Sequence, residues 1–128
     1  MQYVIVGAGA IGGTVGAHMI REGHDVLFVD AAADHVQAIN EQGLTITGYG
    51  GTFTVPAKAI SPAEMKAPVE AMFLAVKAQH TETALKAVMS CLSPDGYVLS
   101  LQNGLNELVI SKMIRAERTV GCLSLIHI

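Results

Sequence analysis

Hydrophobic residues follow two different spacings along this chain. Four short runs, at residues 3–6, 26–29, 71–76 and 97–101, are apolar almost throughout, as expected of parallel strands covered on both faces. A further strand begins at Thr119. Between the runs, apolar residues recur every three or four positions, which indicates amphipathic helices. These residues are Ile11, Val15 and Met19, then Val36 and Ile39, then Leu85, Val88 and Leu92, and finally Leu105, Leu108 and Val109.

Small and polar residues mark the ends of these elements. Gly23 and Gly43 follow the first two helices, where glycine commonly closes a helix, and the second helix is expected to begin near Asp34. The sequence Ser-Pro-Asp-Gly at residues 93–96 predicts a turn between the third helix and the strand at residues 97–101.

The segment after the second helix has a different pattern. Residues 44–47 and 52–55 alternate between polar and apolar side chains, and the glycine-rich residues 48–51 lie between them, which predicts a small antiparallel hairpin. Pro56 and Pro62 frame a connection to the next strand. Because strands and helices otherwise alternate, we predict an α/β fold: a Rossmann-type doubly wound parallel sheet with a small antiparallel hairpin insertion.

The composition supports one packed domain. The chain has 128 residues, 51% of them hydrophobic, and a net charge of −3. It has no block of basic residues and no apolar run near the roughly 20 residues of a membrane helix, so we expect neither a nucleic-acid nor a membrane partner. Cys91 and Cys122 lack metal-ligand spacing, as do His18 and His24. We therefore predict no metal site, and we expect a cytoplasmic protein.

A glycine fingerprint joins the first strand to the first helix. Gly7 permits a tight turn, Gly9 lets the backbone approach a pyrophosphate, and Gly12 lets the helix pack closely on the strand. The helix start offers N–H groups and a positive dipole end to phosphates. A structural turn is the alternative, but the strand, helix and following acidic residue together favour dinucleotide binding.

Asp30 ends the second predicted strand, close to the spacing of about 20 residues at which a carboxylate binds the adenosine ribose. A carboxylate accepts hydrogen bonds from a free 2′-hydroxyl and repels a 2′-phosphate. The three alanines at residues 31–33 offer no cation to offset that repulsion. Asp30 therefore favours NADH over NADPH, and a solvated strand-end carboxylate is the alternative.

Three segments together resemble the ketopantoate reductase (2-dehydropantoate 2-reductase) family. They are residues 6–12 (VGAGAIG), residues 74–78 (LAVKA) and residues 101–104 (LQNG), and the resemblance extends from Met1 to about Gly121. It implies an oxidoreductase that uses a nicotinamide dinucleotide to reduce 2-dehydropantoate to (R)-pantoate in pantothenate biosynthesis. The small-molecule partner implied is thus a 2-keto acid.

The resemblance also implies site residues. Lys77 matches the family's cofactor-contacting lysine, and Asn103 matches an asparagine near the nicotinamide ribose and the substrate. A surface lysine and a turn residue are the respective alternatives. His80 is expected to be structural, since no carboxylate partner is visible. The predicted cofactor-binding set is Gly7, Gly9, Ala10, Ile11, Gly12, Asp30, Lys77 and Asn103, and Asn103 is also the predicted substrate contact.

Two departures from the family matter. The family commonly carries an arginine after the second strand for the 2′-phosphate of NADP, its usual cofactor, whereas this sequence has Asp30 and Ala31. The family's general-acid lysine lies in a C-terminal helical domain that is absent here, so no catalytic residue is assigned in this chain, and the fragment alone is predicted to be inactive.

Residues 1–122 are expected to form the dinucleotide-binding domain. Residues 123–128 (LSLIHI) read like translated sequencing adapter, so we expect a non-native tail, with a genuine strand as the alternative. Two other functions stay open: another Rossmann dehydrogenase, acting on a sugar nucleotide or a hydroxyacid, or a non-catalytic dinucleotide-sensing module. A homodimer of the full-length protein is also left open.

Overall fold

The computed structural model describes residues 2–48, 51–66, 68–76, 81–101 and 119–121. A parallel sheet of six strands has the order β5-β2-β1-β6-β7-β8, and a separate antiparallel hairpin pairs β3 with β4. The strands of the sheet are β1 (Gln2–Val6), β2 (Asp25–Val29), β5 (Lys58–Ile60), β6 (Val69–Leu74), β7 (Leu92–Ser100) and β8 (Thr119–Gly121). The hairpin is β3 (Leu44–Gly48) and β4 (Gly51–Val55), and the helices are α1 (Ala10–Arg21), α2 (Ala33–Gln42) and α3 (Thr81–Val88).

This strand order confirms the predicted Rossmann-type sheet. The chain runs outward from β1 through β2 to β5, then returns to the other side of β1 and continues through β6, β7 and β8. Every neighbouring pair in this sheet is parallel. The direction of winding therefore reverses between β1 and β6, and such a reversal opens a crevice at the carboxyl ends of the two strands.

Alternate residues of the central strands fill two hydrophobic cores. On one face, Val4 and Val6 pack with Met72, Leu74 and the α3 residues Leu85 and Val88. On the other face, the packing partners are the sheet residues Ile5, Phe28 and Phe73 together with Val15, Met19, Val36 and Ile39 from α1 and α2. Both faces of the sheet are thus covered, which explains the continuous apolar runs in the sequence.

The predicted ends of the first two helices and the predicted hairpin are confirmed. Gly23 follows α1 and donates to the Ile20 carbonyl at 3.0 Å, and Gly43 caps α2 by donating to the Ile39 carbonyl at 2.9 Å. The hairpin packs on α1 through Phe53, whose ring lies 4.2 Å from the Arg21 guanidinium carbon. The ends of α1 and α2 at glycine and the register of the hairpin therefore agree with the sequence pattern.

Two boundaries differ from the prediction. The connection framed by Pro56 and Pro62 contains an additional strand, β5, which pairs with β2. Its outer side is bonded by Asn40 of α2, whose amide donates to the Ala59 carbonyl and accepts from the Ala59 N–H, both at 2.8 Å. The third helix is predicted to extend to Leu92, but α3 ends at Val88. A short 3-10 helix over Met89–Cys91 follows it and leads into β7, which begins at Leu92.

The turn predicted at residues 93–96 lies within β7. Leu92 pairs with Val69, and the next pair along the ladder joins Ala71 to Tyr97, so residues 93–96 bulge out of the strand instead of preceding it. The strand predicted at Thr119 is present as β8. The helix predicted around Leu105, the cysteine at position 122 and the tail at residues 123–128 lie outside the described residues. Within the described part of the chain, no helix is long and apolar enough to cross a membrane.

Candidate functional site

A cleft of about 540 Å³ lies at the carboxyl ends of β1, β2 and β6, where the winding of the sheet reverses. The connection after β1, the residues after β2 and β6, and one side of α3 form its walls. Its lining consists of Val6, Gly7, Gly9, Val29, Asp30, Ala31, Ala32, Pro62, Ala75, Val76, Thr83, Ala84 and Ala87. A dinucleotide is expected at this position in a doubly wound sheet.

The three fingerprint glycines meet different requirements. Gly7 has φ +100°, which side chains rarely adopt, and a Cβ there would lie 2.9 Å from backbone atoms of Ala75 and Val76. A Cβ at Gly12 would clash with the Gly7 carbonyl oxygen and approach the Ala75 Cβ, so packing requires glycine there too. Gly9 has an ordinary φ of −79°, and a Cβ there would meet none of the described residues within 4 Å. Space beside Gly9 is therefore open on the cleft side, as an approaching phosphate requires.

α1 begins at this open position. Gly9 is its N-cap residue, and Gly13 makes the first helical hydrogen bond, to the Gly9 carbonyl at 2.8 Å. The N–H groups of Ala10, Ile11 and Gly12 precede that bond and have no carbonyl one turn earlier. Among the described residues no side chain caps this end, and the first turn carries no acidic residue. The start of α1 is thus a suitable site for an anionic group.

Asp30 joins the fingerprint loop to the turn after β2. Its Oδ2 accepts from the Ala8 N–H and its Oδ1 accepts from the Ala32 N–H, each at 2.9 Å. Each carboxylate oxygen has a second lone pair, so Asp30 keeps acceptor capacity for a hydroxyl group. The Ala8 carbonyl in turn accepts from Nε2 of His35 at 2.6 Å. Asp30 is half-buried at the cleft and faces the loop instead of pointing away from it.

Apart from Thr83, the remaining cleft wall is apolar. Val76, Pro62 and the α3 residues Ala84 and Ala87 offer small side chains without charge. Such a surface suits one face of a flat heteroaromatic ring, whereas the helix start suits phosphates and Asp30 suits hydroxyl groups. The described residues therefore fit an adenine dinucleotide in all three of its chemical parts.

The surroundings of Asp30 carry further negative charge. An adjoining cleft shares Ala31 and is lined also by Glu41 and Glu64. The Ser61 backbone N–H and its hydroxyl both donate to Glu64 Oε1 at 3.0 Å, and they hold the pKa of Glu64 below its usual value. No lysine or arginine occurs among the described residues that line either cleft.

The structure brings together most of the residues predicted from sequence. Gly7, Gly9 and Asp30 line the same cleft, and Ala10, Ile11 and Gly12 form the first turn of the helix beside it. The other three residues singled out near the site, Lys77, His80 and Asn103, lie outside the described residues. His35 is not among the residues predicted from the sequence, because no pattern indicates that its ring reaches the fingerprint loop.

Comparisons with known proteins agree on one family. The family model described as "Ketopantoate reductase PanE/ApbA" matches residues 3–127. The 2-dehydropantoate 2-reductase of Nostoc sp. is 31% identical over 124 residues, which are 95% of this chain and 38% of that protein. The enzyme of the same name from Pyrococcus abyssi is 37% identical over 105 residues, covering 82% of this chain and 34% of that protein.

Solved structures show the same relationship. A ternary structure of D-mandelate dehydrogenase with NADH and anilino(oxo)acetate superposes with a TM-score of 0.87 at 31% identity, covering 96% of this chain and 40% of that one. The 2-dehydropantoate 2-reductase of Geobacter metallireducens gives 0.83 at 33% identity, covering 94% and 40%. The chain thus spans between 34% and 40% of the length of these proteins. With its sequence matched almost from end to end, the chain belongs to the ketopantoate reductase PanE/ApbA family.

Proposed function

We propose that these residues are the cofactor-binding part of an NAD(P)H-dependent oxidoreductase that reduces a 2-keto acid, and that this acid is 2-dehydropantoate, reduced to (R)-pantoate. The observation that carries the proposal is the cleft, in which an uncapped helix start, Gly9 and Asp30 face one space. Family membership supplies the reaction type, since relatives of this chain bear the name 2-dehydropantoate 2-reductase.

In this proposal each described residue acts on a defined part of the cofactor. The N–H groups at the start of α1 bind the pyrophosphate, and Asp30 accepts hydrogen bonds from the adenosine ribose. When bound, the nicotinamide supplies a hydride to the keto carbon. Lys77 contacts the cofactor and Asn103 contacts both the cofactor and the substrate, as the family resemblance implies. The proton for the product hydroxyl comes from a lysine outside these 128 residues.

We further propose that NADH is the preferred cofactor. A 2′-phosphate would lie beside the Asp30 carboxylate, and the described residues that line the two clefts include Glu41 and Glu64 but no lysine or arginine to balance it. Like charges at short range are mutually unfavourable, and a free 2′-hydroxyl avoids this repulsion while donating to Asp30.

A second candidate function has one specific observation in its favour. D-mandelate dehydrogenase, whose structure contains NADH, superposes with this chain at a TM-score of 0.87. An NADH-dependent hydroxyacid dehydrogenase of the same family would need the same cofactor cleft. The two candidates differ in the substrate pocket, and thus in which keto acid is reduced.

Calorimetric titration of the purified chain tests the cofactor part of the proposal. We expect binding of NADH and of ADP-ribose, with NADPH binding roughly tenfold or more weakly, a difference of about 1.4 kcal/mol. Tighter binding of NADPH would contradict the NADH preference, and no binding of any of the three ligands would contradict the dinucleotide site. Offering 2-dehydropantoate and a mandelate-type keto acid to the full-length protein with NADH separates the two candidate functions.

A further inference from the structure

The peptide groups around Ala8, between the first two fingerprint glycines, are held by side chains that follow β2. The Ala8 N–H donates to Asp30 Oδ2 at 2.9 Å, and the Ala8 carbonyl accepts from His35 Nε2 at 2.6 Å. Asp30 follows β2 directly, and His35 lies in the first turn of α2. Both main-chain polar groups of one loop residue are therefore fixed from the same crossover connection.

The direction of the second bond follows from its acceptor. A carbonyl oxygen has lone pairs and no proton, so Nε2 of His35 must carry the hydrogen. Both the neutral Nε2–H form and the imidazolium form of histidine meet this requirement. His35 is half-buried, and the bond reaches across 27 residues of sequence.

This bond also sets the direction of the next N–H group. The Ala8 carbonyl and the Gly9 N–H belong to one planar peptide unit, in which they point in opposite directions. A donor that holds the carbonyl on the α2 side therefore turns the Gly9 N–H away from α2. Gly9 lines the cleft, and no described residue lies within 4 Å of the position that a Cβ would occupy, so the described side chains do not fix this peptide by packing. The hydrogen bond to Ala8 supplies an orientation that packing does not.

We propose that His35 is a positioning residue for the pyrophosphate: it orients the Ala8–Gly9 peptide so that the Gly9 N–H faces the phosphate. The proposal rests on the dinucleotide site proposed above and adds a residue that is not among those lining the cleft. Asp30 fixes the preceding peptide in the same way, so the ribose-binding carboxylate and His35 hold the loop together.

A purely structural role would be to anchor α2, but this helix has other anchors. Ile39 is 1% exposed in the core, and the Asn40 amide makes two hydrogen bonds to Ala59. Loss of the His35 bond should therefore leave α2 in place and disturb the loop, which separates ligand affinity from stability as readouts.

The test compares three substitutions at this position with a control on the exposed side of the same helix. His35→Leu removes the donor, His35→Asn retains an amide that is too short to reach, and His35→Gln places an amide N–H near the position of Nε2. Gln42→Leu is the control, since Gln42 is the last residue of α2, is exposed, and is not among the residues that line either cleft. NADH and ADP-ribose are titrated by calorimetry, and thermal unfolding is followed without ligand.

We expect both ligands to bind roughly tenfold more weakly to the Leu and Asn variants, from the loss of an oriented donor and an unpaired carbonyl. The Gln variant should bind within about threefold of the parent, and Gln42→Leu should match the parent. If the Leu variant does not fold, the Asn and Gln variants carry the comparison. Equal affinity of parent, Leu and Asn chains, or a Gln variant as weak as the Asn variant, would overturn the role of His35. A parent chain that binds neither ligand would instead overturn the dinucleotide site itself, and this inference with it.

Discussion

At the scale of single residues, Gly9 differs from Gly7 and Gly12 in why glycine would be required at its position. Gly7 is required by its positive φ and Gly12 by close packing, whereas Gly9 has an ordinary φ and open space around it. The fold alone would accept a side chain at Gly9. A requirement for glycine at this position would therefore come from the ligand.

Gly9→Val should weaken NADH binding by roughly tenfold or more, or about 1.4 kcal/mol, because the branched side chain would fill the space that the pyrophosphate needs. The free energy of unfolding should change little. Calorimetry and thermal unfolding measure the two effects. Gly48→Val is the matched control. A Cβ at Gly48 would also meet none of the described residues within 4 Å, but Gly48 lies in the hairpin and not at the cleft. Unchanged affinity in the Gly9 variant would show that the phosphates bind elsewhere.

Cofactor choice is also decided at this scale. Replacing Asp30 with Ala and Ala31 with Arg should raise the affinity for NADPH relative to NADH by roughly tenfold or more, because a guanidinium pairs well with a phosphate. Titrations with both cofactors give the ratio. Asp25→Asn removes the same charge from the opposite end of β2 and should leave the ratio unchanged. A ratio that moves equally in both variants would indicate a general effect of net charge.

The residues of the site differ in whether a local sequence pattern predicts them. Gly7, Gly9, Gly12 and Asp30 are recognisable in the sequence because each has a fixed relation to a strand end or helix start. His35 has none: its partner lies 27 residues earlier, and nothing in the spacing shows that the ring points toward it. Contacts made by long-range packing need the assembled structure.

At the scale of elements, α1 lies close to the sheet through Gly16. A Cβ at Gly16 would collide with the Phe28 ring and approach Ile5 Cδ1 to 2.9 Å, and both side chains are fully buried. The helix is thus held at a distance that a glycine permits. This contact lies on the face of α1 that carries Val15 and Met19, away from the cofactor cleft.

Gly16→Ala should therefore destabilise the protein by about 1–3 kcal/mol, because the added methyl group overpacks a filled core. Urea unfolding measures the change. Gly13→Ala is the control in the same helix: its Cβ would lie 3.5 Å from the Ala8 carbonyl oxygen, an ordinary contact, and the better helix propensity should add about 0.5–1 kcal/mol. Equal stability of the two variants would mean that α1 can shift away from β2 at little cost.

The elements whose observed bounds differ from the prediction depend on pairing with residues far away in the sequence. β5 has only three residues between two prolines, and it exists because β2 pairs with one side and Asn40 bonds the other. Leu92 fits the helical spacing of Leu85 and Val88, yet pairing with Val69 draws it into β7. The long apolar strands and the hairpin were predictable because each carries its pattern within its own residues.

At the scale of the whole molecule, the chain spans 38% of the Nostoc relative and 40% of the Geobacter structure. A keto acid reduced at the nicotinamide needs a proton donor, and general acid catalysis is typically worth about 10²–10⁴ in rate. Substrate positioning adds a further large factor. In the proposed function, the described cleft contributes cofactor contacts and no proton donor.

We expect these 128 residues to bind NADH but not to turn over 2-dehydropantoate. The loss of absorbance of the reduced nicotinamide measures turnover, with NADH and NADPH assayed separately. The Geobacter metallireducens enzyme, assayed in parallel, checks that substrate and detection are sound. Steady turnover that disappears in Lys77→Ala would place the proton donor in this chain and contradict the expectation.

The amide of Asn40 has a consequence for how the protein behaves when it is concentrated. β5 ends the sheet, and an uncovered strand edge is a template on which a strand from another copy can add. Ala59 occupies the middle of that edge, and the Asn40 amide forms hydrogen bonds with both the N–H and the carbonyl of Ala59. Asn40→Ala should leave the N–H and the carbonyl of Ala59 without these partners, so light scattering should rise with protein concentration, while Gln37→Ala on the same helix should remain monodisperse. A side chain that imitates a neighbouring strand thus satisfies the middle of this edge from within the molecule.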